Sequence, residues 1–380
     1  MTVSWLDVAA LRLARQHIVE RLPAAGLLDV VREHVGIQAQ VMSLAELQLN
    51  ARLDGLRQAD VRDALSENRT LVKTWAMRGT LHLIASDDLA SFVAAAPTRG
   101  QWGGGAWLKY FRVTSDELAT IFATVEEVLS GEPMTRAELV DAVSKATGRR
   151  DLATKLQSGW GSFLKPASHA GALVFGPDRG RNVTFVDPED WLGRRVRRGP
   201  DAPDPRVALA PLIERFLRLF PGADRPGVGR WWGARAGMKP SFAHVETVEV
   251  DIEGSKGLIL AADADALAAT EPFTGVRLLP GFDAYVNDLP RRVDALLPID
   301  QHDAVHRVAG WVSPVVIVDG RVAGTWELTN GKRRGIAVTP FGKLRSGAKK
   351  ELKAEADRIA AFLDQPLALD VVNDRRRGAE

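Results

Sequence analysis

The stretch LVKTWAMRGTLHLIA, residues 71 to 85, holds two short β-type runs on either side of the turn residues Arg78 and Gly79. Alternating runs around such a turn predict a β-hairpin. The segments before the hairpin have helical patterns, and three helices followed by a hairpin are the element order of a winged helix. Helices are predicted at Leu6 to Arg21, at Leu27 to Val35 and at Ser43 to Leu53, where Ser43 and Glu46 match a capping box.

The same order of elements returns twice along the chain. Helical segments from Ser115 lead to the β-type runs of ALVFGPDRGRNVTFVD, and helical segments from Pro205 lead to TVEVDIEGSKGLILAA. The repeat is one of pattern, because few residues are identical between the units. Beyond Glu271, short β-type runs with Gly-Arg and Asn-Gly turns predict a small barrel, followed by a charged helix from Ser346 to Leu363.

These patterns together predict an α+β fold of three tandem winged-helix units followed by a small C-terminal β-barrel. The predicted boundaries are residues 1–95 for winged helix 1, 113–192 for winged helix 2, 203–270 for winged helix 3, 271–366 for the barrel with its terminal helix, and 367–380 for a tail. The closing NDRRRGAE of this tail is expected to be frayed.

Composition excludes several classes of protein. Hydrophobic residues at 46% and charged residues at 26% of 380 residues are typical of a globular protein, and no run approaches the roughly 20 apolar residues of a membrane helix. Asp7, Arg12 and Arg15 interrupt any apolar region of a signal peptide. The absence of cysteine excludes disulfides, a thiolate nucleophile and thiolate metal ligands. We therefore expect a cytoplasmic protein.

Charge is distributed unevenly along the chain. The formal net charge is only +2, but from Arg194 to Lys239 eleven Arg and Lys residues accompany four acidic residues. Such an excess on a folded surface is the electrostatic footprint of a phosphate-binding protein. A solvated charged face would have the same composition, so both interpretations stay open.

The stretch GIQAQV, residues 36 to 41, sets two neutral amides one residue apart. In a helix Gln38 and Gln40 would point about 200° apart, whereas in an extended segment they face the same side. An amide both donates and accepts hydrogen bonds. Two amides together can orient a water molecule and present carbonyl dipoles to a developing cation. The alternative is that these glutamines only satisfy backbone groups in a loop.

Two further segments combine polar groups with a favourable position. The hairpin tip RGTLH brings Arg78, Thr80 and His82 close together, and an Arg at a wing tip suits a phosphate or the minor groove. The segment RGQWGGGAWLKYFR, residues 99 to 112, interleaves aromatic with basic residues, which suits stacking on bases beside phosphate contacts. Structural roles within the protein core are the alternative for both segments.

Two motifs resemble a metal site and a nucleotide-binding loop but lack the neighbouring sequence that such sites need. HDAVH places His302 and His306 at metal-ligand spacing, but the neighbouring residues do not predict a helix. GVGRWWG, residues 227 to 233, lacks the spacing of a dinucleotide-binding loop and follows no predicted strand. We therefore expect neither a metal nor a nucleotide cofactor.

At IQAQ, RGTLHL and PGFDAY the sequence resembles the AlkZ-like bacterial DNA glycosylases, a family of winged-helix proteins. The resemblance covers almost the whole chain and includes WAMRGTLHLIASDDL at residues 75 to 89 and VDGRVAGTW at residues 318 to 326. The family pattern has a Gly-aromatic-basic run after PGFDAY, whereas this chain has VNDLPRRVD. The resemblance implies three tandem winged helices and a C-terminal β-barrel around a DNA channel.

The resemblance also implies site residues and a reaction. Gln38 and Gln40 match the catalytic Gln-x-Gln motif of the family, and Thr80 with His82 and Asp88 resembles a second motif lining the site. The implied reaction is hydrolysis of the N-glycosidic bond of N-alkylated purines in double-stranded DNA, by a monofunctional and monomeric enzyme without cofactors. The residues expected to contact DNA are Arg78, Arg99, Trp102, Lys109, Arg112, Arg179, Arg181 and Arg230.

Two other functions compete with this interpretation. A non-catalytic DNA-binding protein, such as a transcriptional regulator, would use the same wings without a convergent polar pocket. A metal-dependent hydrolase would need a third ligand converging on His302 and His306.

Overall fold

The structure is a computed structural model that describes residues 2–100, 102–158, 161–234, 238–290, 293–330 and 334–372. The chain divides into two compact units. The first unit comprises the described residues within Met1–Val61, Glu214–Asp224 and Glu246–Glu380, and the second comprises those within Arg62–Ile213 and Arg225–Val245.

Helices occur throughout both units, and several begin with a capping box in which Ser or Thr and an acidic residue three positions later satisfy the first backbone N–H groups. In chain order the helices are α1 (Trp5–Arg15), α2 (Leu27–Glu33), α3 (Met42–Asn50), α4 (Gln58–Ser66), α5 (Leu89–Ala95), α6 (Gly105–Phe111), α7 (Ser115–Val128), α8 (Arg136–Thr147), α9 (Arg150–Ala153), α10 (Leu164–His169), α11 (Pro188–Leu192), α12 (Pro205–Leu219), α13 (Arg225–Trp232), α14 (Lys239–Phe242), α15 (Ala264–Ala268), α16 (Ala284–Asn287), α17 (His302–Val305) and α18 (Ala348–Phe362).

The strands are mostly short, and the longest lie in the C-terminal third of the chain. In chain order they are β1 (Thr2–Val3), β2 (Leu22–Pro23), β3 (Ile37–Gln38), β4 (Leu53–Asp54), β5 (Leu71–Trp75), β6 (Leu81–Ala85), β7 (Met134–Thr135), β8 (Val174–Arg179), β9 (Asn182–Val186), β10 (Thr247–Ile252), β11 (Ser255–Leu260), β12 (Val276–Leu279), β13 (Val315–Val318), β14 (Arg321–Asn330), β15 (Arg334–Pro340) and β16 (Ala368–Val371).

The hairpin predicted at residues 71 to 85 is confirmed. Strands β5 and β6 pair antiparallel, with Leu71 opposite Ala85 and Trp75 opposite Leu81. The predicted second hairpin is also present as β8 and β9. Because Lys73 of β5 pairs with Phe175 of β8, the two hairpins join in one sheet of the second unit, in the order β6, β5, β8, β9 and β7. The fold is a mixed α+β fold with several sheets.

The third predicted hairpin lies in the first unit. Strands β10 and β11 pair antiparallel around the turn at Gly254, and β1 adds to β10 in parallel. Leu258 of β11 also exchanges backbone hydrogen bonds with the segment at Gly222 and Ala223, which follows α12. The amino-terminal strand is therefore tied to the third hairpin within this unit.

The C-terminal strands form an open sheet in the order β12, β13, β14, β15 and β16, so a closed barrel is not confirmed. Helix α18 covers the β12 edge, where Glu355 accepts a hydrogen bond from the Leu278 backbone N–H at 3.4 Å. In a closed barrel the edge strand β12 would pair its free backbone groups with another strand. Here helix α18 covers that edge instead. The tail predicted from residue 367 starts too early, because β16 pairs with β15. The segment NDRRRGAE lies outside the described residues.

Each unit has a hydrophobic core of its own. In the first unit Leu13, Ile18, Ile252 and Val315 are fully buried in one cluster. In the second unit Ile121, Leu139, Leu164 and Phe185 are fully buried in another. At about 25 cal/mol per Å² of buried apolar surface, clusters of this size are the main source of stability for both units. Across the described residues, no helix has the length and hydropathy needed to cross a membrane.

Two helix boundaries differ from the sequence-based expectation. Helix α1 ends at Arg15, because His17 adopts a left-handed backbone conformation with φ of 57°. Helix α3 begins at Met42 with Val41 as an N-cap that makes no side-chain bond, so the predicted capping box at Ser43 is wrong. Glu46 instead accepts a hydrogen bond from the Gln58 side chain at 2.8 Å. A long-range partner therefore replaced the local one.

Candidate active site

Neither glutamine of GIQAQV is helical, because Gln38 is the last residue of strand β3 and Gln40 lies in a bend. Strand β3 ends at Gln38, and burial alternates along the next residues. Ile37 and Ala39 are completely buried, whereas Gln38 is half-buried and Gln40 is exposed. Gly36 enters this segment with φ of 100°, a conformation that glycine adopts without strain. The apolar side chains of Ile37 and Ala39 anchor the segment, and the side chain of Gln40 is accessible to solvent.

Gln38 is held at both its backbone and its side chain within the first unit. Its backbone carbonyl accepts a hydrogen bond from Nε2 of Gln48 at 3.0 Å. Its side-chain Oε1 accepts a hydrogen bond from Nδ2 of Asn287 at 3.1 Å. An amide held in this way keeps its orientation without further reorganisation.

A fully buried ion pair lies behind these contacts. Arg52 donates two hydrogen bonds to Asp283, at 2.7 and 2.9 Å, and neither side chain is exposed to solvent. The same guanidinium donates to the Gln48 backbone carbonyl, to Oε1 of Gln16 and to Nε2 of His34. Every N–H direction of Arg52 is thus occupied, which is the condition for a buried charge to be tolerated.

His34 is a neutral member of this network. Its Nδ1 donates to the Val30 backbone carbonyl at 2.8 Å, since a carbonyl can only accept. Its Nε2 must then accept from Arg52, which requires an unprotonated nitrogen. Burial, with the adjacent Arg52 charge, holds the pKa of His34 well below its usual range.

Arg78, Thr80 and His82 lie at or next to the tip of the β5–β6 hairpin in the second unit, and Asp88 follows the other end of β6. Arg78 is half-buried and adopts φ of 57°, which turns the chain sharply between the strands. Thr80 donates from its hydroxyl to the Met77 carbonyl at 3.1 Å. His82 is buried, with Nδ1 3.0 Å from the Thr80 carbonyl oxygen. Asp88, 8% exposed, lies at the end of the short turn before α5.

The imidazole of His82 is a hydrogen-bond acceptor at neutral pH. Burial lowers the pKa of His82 to about 3, and the positive charges of Arg78 and Arg99 act in the same direction. Because Nδ1 donates to a backbone carbonyl, the lone pair resides on Nε2. A group of this kind can accept a hydrogen bond from water but carries no positive charge to bind phosphate.

Arg99 does not lie where a phosphate contact requires. The side chain is buried, stacks on Trp232 with the guanidinium carbon 3.9 Å from the ring centre, and donates to the Ala76 carbonyl at 2.8 Å. It also donates to Nε2 of His169 at 2.8 Å. Burial lowers the pKa of Arg99 to about 9. The predicted DNA contact at Arg99 is therefore replaced by a role in holding the residues before the hairpin tip.

Among the aromatic and basic side chains around α6, some pack against the protein and others are exposed to solvent. Trp102 is half-buried and packs edge-on against His169 at 4.3 Å between ring centres. Lys109 and Arg112 are exposed, and Tyr110 between them is 79% exposed. An exposed aromatic ring between two cations is the arrangement expected of a surface that stacks bases beside phosphates.

The remaining arginines predicted to contact DNA differ in whether acidic side chains of the protein already pair with them. Arg179 donates to Glu138 at 2.7 Å, whereas Arg181 is exposed at the turn of the β8–β9 hairpin. Arg230 is exposed on α13. In the basic segment beginning at Arg194, that residue pairs with Asp87, and Arg197 pairs with several acids. The excess of positive charge counted along the sequence is therefore partly neutralised by tertiary contacts.

The HDAVH segment is helical, contrary to the sequence-based expectation. Helix α17 begins at His302, and the rings of His302 and His306 lie 4.6 Å apart. Within the described ranges, no group of three or more His, Asp or Glu side chains is placed to hold a metal ion.

Several residues that organise this region carried no signal in the sequence alone. Gln48, Arg52 and Asn287 belong to no catalytic motif, and the charged pair is separated by 231 residues. The one available signal was PGFDAY, whose Asp283 receives Arg52 and also caps α16 through the Tyr285 N–H at 2.9 Å. Asn287 is the second residue of VNDLPRRVD, the segment that departs from the family pattern.

Comparison with known proteins supports one family. Residues 31–362 match the family described as DNA glycosylase AlkZ-like. The chain is 36% identical over 372 residues to the interstrand DNA cross-link repair glycosylase of Streptomyces sahachiroi, covering 95% of this chain and 96% of that protein. The solved structure of the Streptomyces sahachiroi DNA glycosylase AlkZ matches with a TM-score of 0.87 and 33% identity, covering 98% of this chain and 100% of that one. This chain belongs to the AlkZ-like family of DNA glycosylases.

Proposed function

We propose that this enzyme hydrolyses the N-glycosidic bond of N-alkylated purines in double-stranded DNA and that Gln38 and Gln40 carry the reaction. The observation that supports this most directly is the non-helical segment in which Gln38 is held by Gln48 and Asn287 and Gln40, two residues later, is exposed. The enzyme is monofunctional in this proposal and leaves an abasic site.

The chemistry of an N7-alkylated purine suits neutral amides. Alkylation makes the base a cationic leaving group, so the enzyme need not supply a general acid. The transition state then resembles an oxocarbenium ion, and catalysis depends on electrostatic stabilisation and on a positioned water. The dipoles of the two amides orient the water and stabilise the sugar cation without attacking it. A weak base is sufficient because little proton transfer is needed early in the reaction.

The substrate range is proposed from a relative. The similar protein of Streptomyces sahachiroi is named an interstrand DNA cross-link repair glycosylase. We propose N7-alkylguanine adducts as substrates here, with interstrand crosslinks through the same position as a second class. The enzyme acts as a monomer on bacterial DNA in the cytoplasm. Thr80, His82 and Asp88 of the second unit are proposed to contact the DNA substrate.

We also propose the winged-helix organisation for the ranges predicted above. Residues 1–95, 113–192 and 203–270 each contain helices followed by an antiparallel hairpin, which is the order that a winged helix requires. A helix and a hairpin presented together are a common means of contacting duplex DNA.

Substituting either glutamine is expected to slow excision while DNA binding persists. In Gln38→Ala and in Gln40→Ala, release of 7-methylguanine from methylated duplex DNA should fall at least about tenfold, because each substitution removes a dipole that stabilises the transition state. DNA affinity should stay within a factor of about two, since phosphate contacts supply most of the binding energy. Single-turnover release and fluorescence anisotropy measure the two quantities.

Gln157→Ala is the matched control, because Gln157 is exposed on the second unit and has no proposed role. It should release base at the wild-type rate. Equal losses of binding and excision in the Gln38 and Gln40 variants would indicate a structural role. No release by the wild-type protein, from either methylated or crosslinked duplex, would contradict the proposed function.

The exposed cations supply a second prediction. Lys109→Ala and Arg181→Ala should each weaken DNA binding uniformly across sequences and reduce the slope of log K against log salt by about 0.9 for each phosphate that the protein no longer neutralises. Lys353→Ala, on helix α18 in an ion pair with Asp357, is the control and should leave the slope unchanged. Unchanged slopes in the first two variants would remove both residues from the DNA-binding surface.

A further inference from the structure

Asn287 donates one hydrogen bond to the proposed catalytic residue Gln38 and a second one that fixes its own side chain. It is the last residue of α16, and its Nδ2 donates to the Phe282 backbone carbonyl at 2.8 Å and to Oε1 of Gln38 at 3.1 Å. Phe282 has φ of 61°, so its left-handed backbone is held by this side chain. One NH₂ group thus connects a constrained turn to the amide of Gln38.

The first of these bonds determines the orientation of both amides. A backbone carbonyl can only accept, so the atom of Asn287 that faces Phe282 must be Nδ2. The second hydrogen of that NH₂ group needs another acceptor, so the atom of Gln38 that faces it must be Oε1. The NH₂ end of Gln38 is therefore turned away from Asn287, with no ambiguity between amide oxygen and nitrogen.

The support for Gln38 is continuous with the buried ion pair. Gln48, which binds the Gln38 backbone carbonyl, lies on α3, and its own backbone carbonyl accepts from Arg52 at 3.0 Å. Arg52 in turn holds Asp283, the residue that caps the helix carrying Asn287. The two anchors of Gln38 are thus fixed relative to each other through a pair of fully buried charges.

We infer that Asn287 is a positioning residue that sets which end of the Gln38 amide faces the substrate. The inference rests on the proposed function, because it assigns Asn287 a role through Gln38. An unanchored amide has two orientations that exchange its oxygen and nitrogen, and only the observed one keeps the NH₂ group of Gln38 free of Asn287 as a donor to the oxygen of the attacking water. Fixing one orientation before the reaction is the arrangement through which enzymes stabilise charge that develops in the transition state.

The test replaces Asn287 with residues of similar size that cannot donate. Asn287→Asp offers a carboxylate that would attract the NH₂ end of Gln38 and reverse its amide, and Asn287→Leu removes the anchor. In both variants single-turnover release of 7-methylguanine at pH 7.5 should slow about tenfold, with the DNA dissociation constant within a factor of about two. Asn68→Asp, which adds the same charge at an exposed position, should keep the wild-type rate.

Two further measurements separate positioning from a structural effect. In a Gln38→Ala background the Asn287 substitutions should slow release by less than about twofold more, because the group they position is absent. In protein labelled with ¹⁵N-glutamine, the side-chain NH₂ signals of Gln38, assigned by their loss in Gln38→Ala, should shift in Asn287→Leu. The thermal midpoints of unfolding report whether the fold is retained.

The outcomes distinguish the inference from the proposed function. A wild-type rate and unshifted Gln38 signals in Asn287→Leu would overturn the inference while leaving the function intact. Equal slowing with and without Gln38 would also overturn it. If Gln38→Ala itself releases base normally, or if the wild type releases none, the proposed function fails, and the NH₂ signals still decide whether Asn287 orients Gln38.

Discussion

Replacing Arg52 with methionine is expected to lower the free energy of unfolding by about 3–5 kcal/mol. Both Arg52 and Asp283 are completely buried, and the two short hydrogen bonds between them are the compensation for removing each charge from water. Methionine fills much of the space but leaves the Asp283 carboxylate without its cation. The acceptor nitrogen of His34 and the Oε1 atom of Gln16 lose their donor as well.

Denaturation by guanidinium chloride at pH 7.5 measures this loss, and two variants serve as controls. Arg57→Met removes an exposed partner of Asp60, with 77% of the Arg57 side chain accessible, and should change stability by less than about 1 kcal/mol. Asp283→Asn combined with Arg52→Met should recover much of the loss, because asparagine keeps the helix cap without the charge. A loss for Arg52→Met no larger than that for Arg57→Met would contradict the structure of the buried pair.

Acidification from pH 7.5 to pH 5.0 is expected to destabilise the protein strongly. His34 and His82 are buried and His169 is half-buried, and desolvation lowers the pKa of each below the usual value of 6.5. Below pH 6.5 the unfolded chain binds protons at these positions and the folded chain does not, so stability falls as pH falls. The expected slope is about 1.4 kcal/mol per pH unit for each histidine, or about 2 kcal/mol each at pH 5.0.

The range from pH 7.5 to pH 5.0 separates the effect of the histidines from that of the carboxylates. Carboxylates with lowered pKa values also lose stabilisation in acid, but only below their unfolded values near 4. Unfolding free energies between pH 7.5 and pH 5.0 should therefore report mainly on the histidines. His34→Asn should reduce the slope by one histidine, whereas Gln157→Asn, at an exposed position without a titratable group, should not change it. An identical slope in His34→Asn and wild type would exclude His34 as a buried neutral group.

The parts of the fold that depend on short-range pattern were predictable. The hairpin at residues 71 to 85 was confirmed in its position and turn, because alternating residues around Arg78 and Gly79 restrict the backbone locally. The capping box at Ser43 failed because Glu46 found a partner at Gln58, a choice that local sequence does not encode.

Burial explains why the basic candidates were harder to assign. Arg99 and Arg181 are the same residue type beside glycine, yet Arg99 is buried against Trp232 and Arg181 is exposed at a hairpin turn. Composition counts both as positive charge. Only packing decides which guanidinium is available to a phosphate, because the partners of Arg99 come from segments distant in sequence.

The sequence by itself determined the element order, the α+β class and the pair of amides at Gln38 and Gln40, because these follow from periodicities and motifs spanning a few residues. The tertiary structure alone decided how Gln38 is oriented. Asn287 is 249 residues away, and the Arg52–Asp283 pair behind it joins segments 231 residues apart. A hydrogen bond depends on distance and direction in space, and these arise only after the chain has buried its apolar residues.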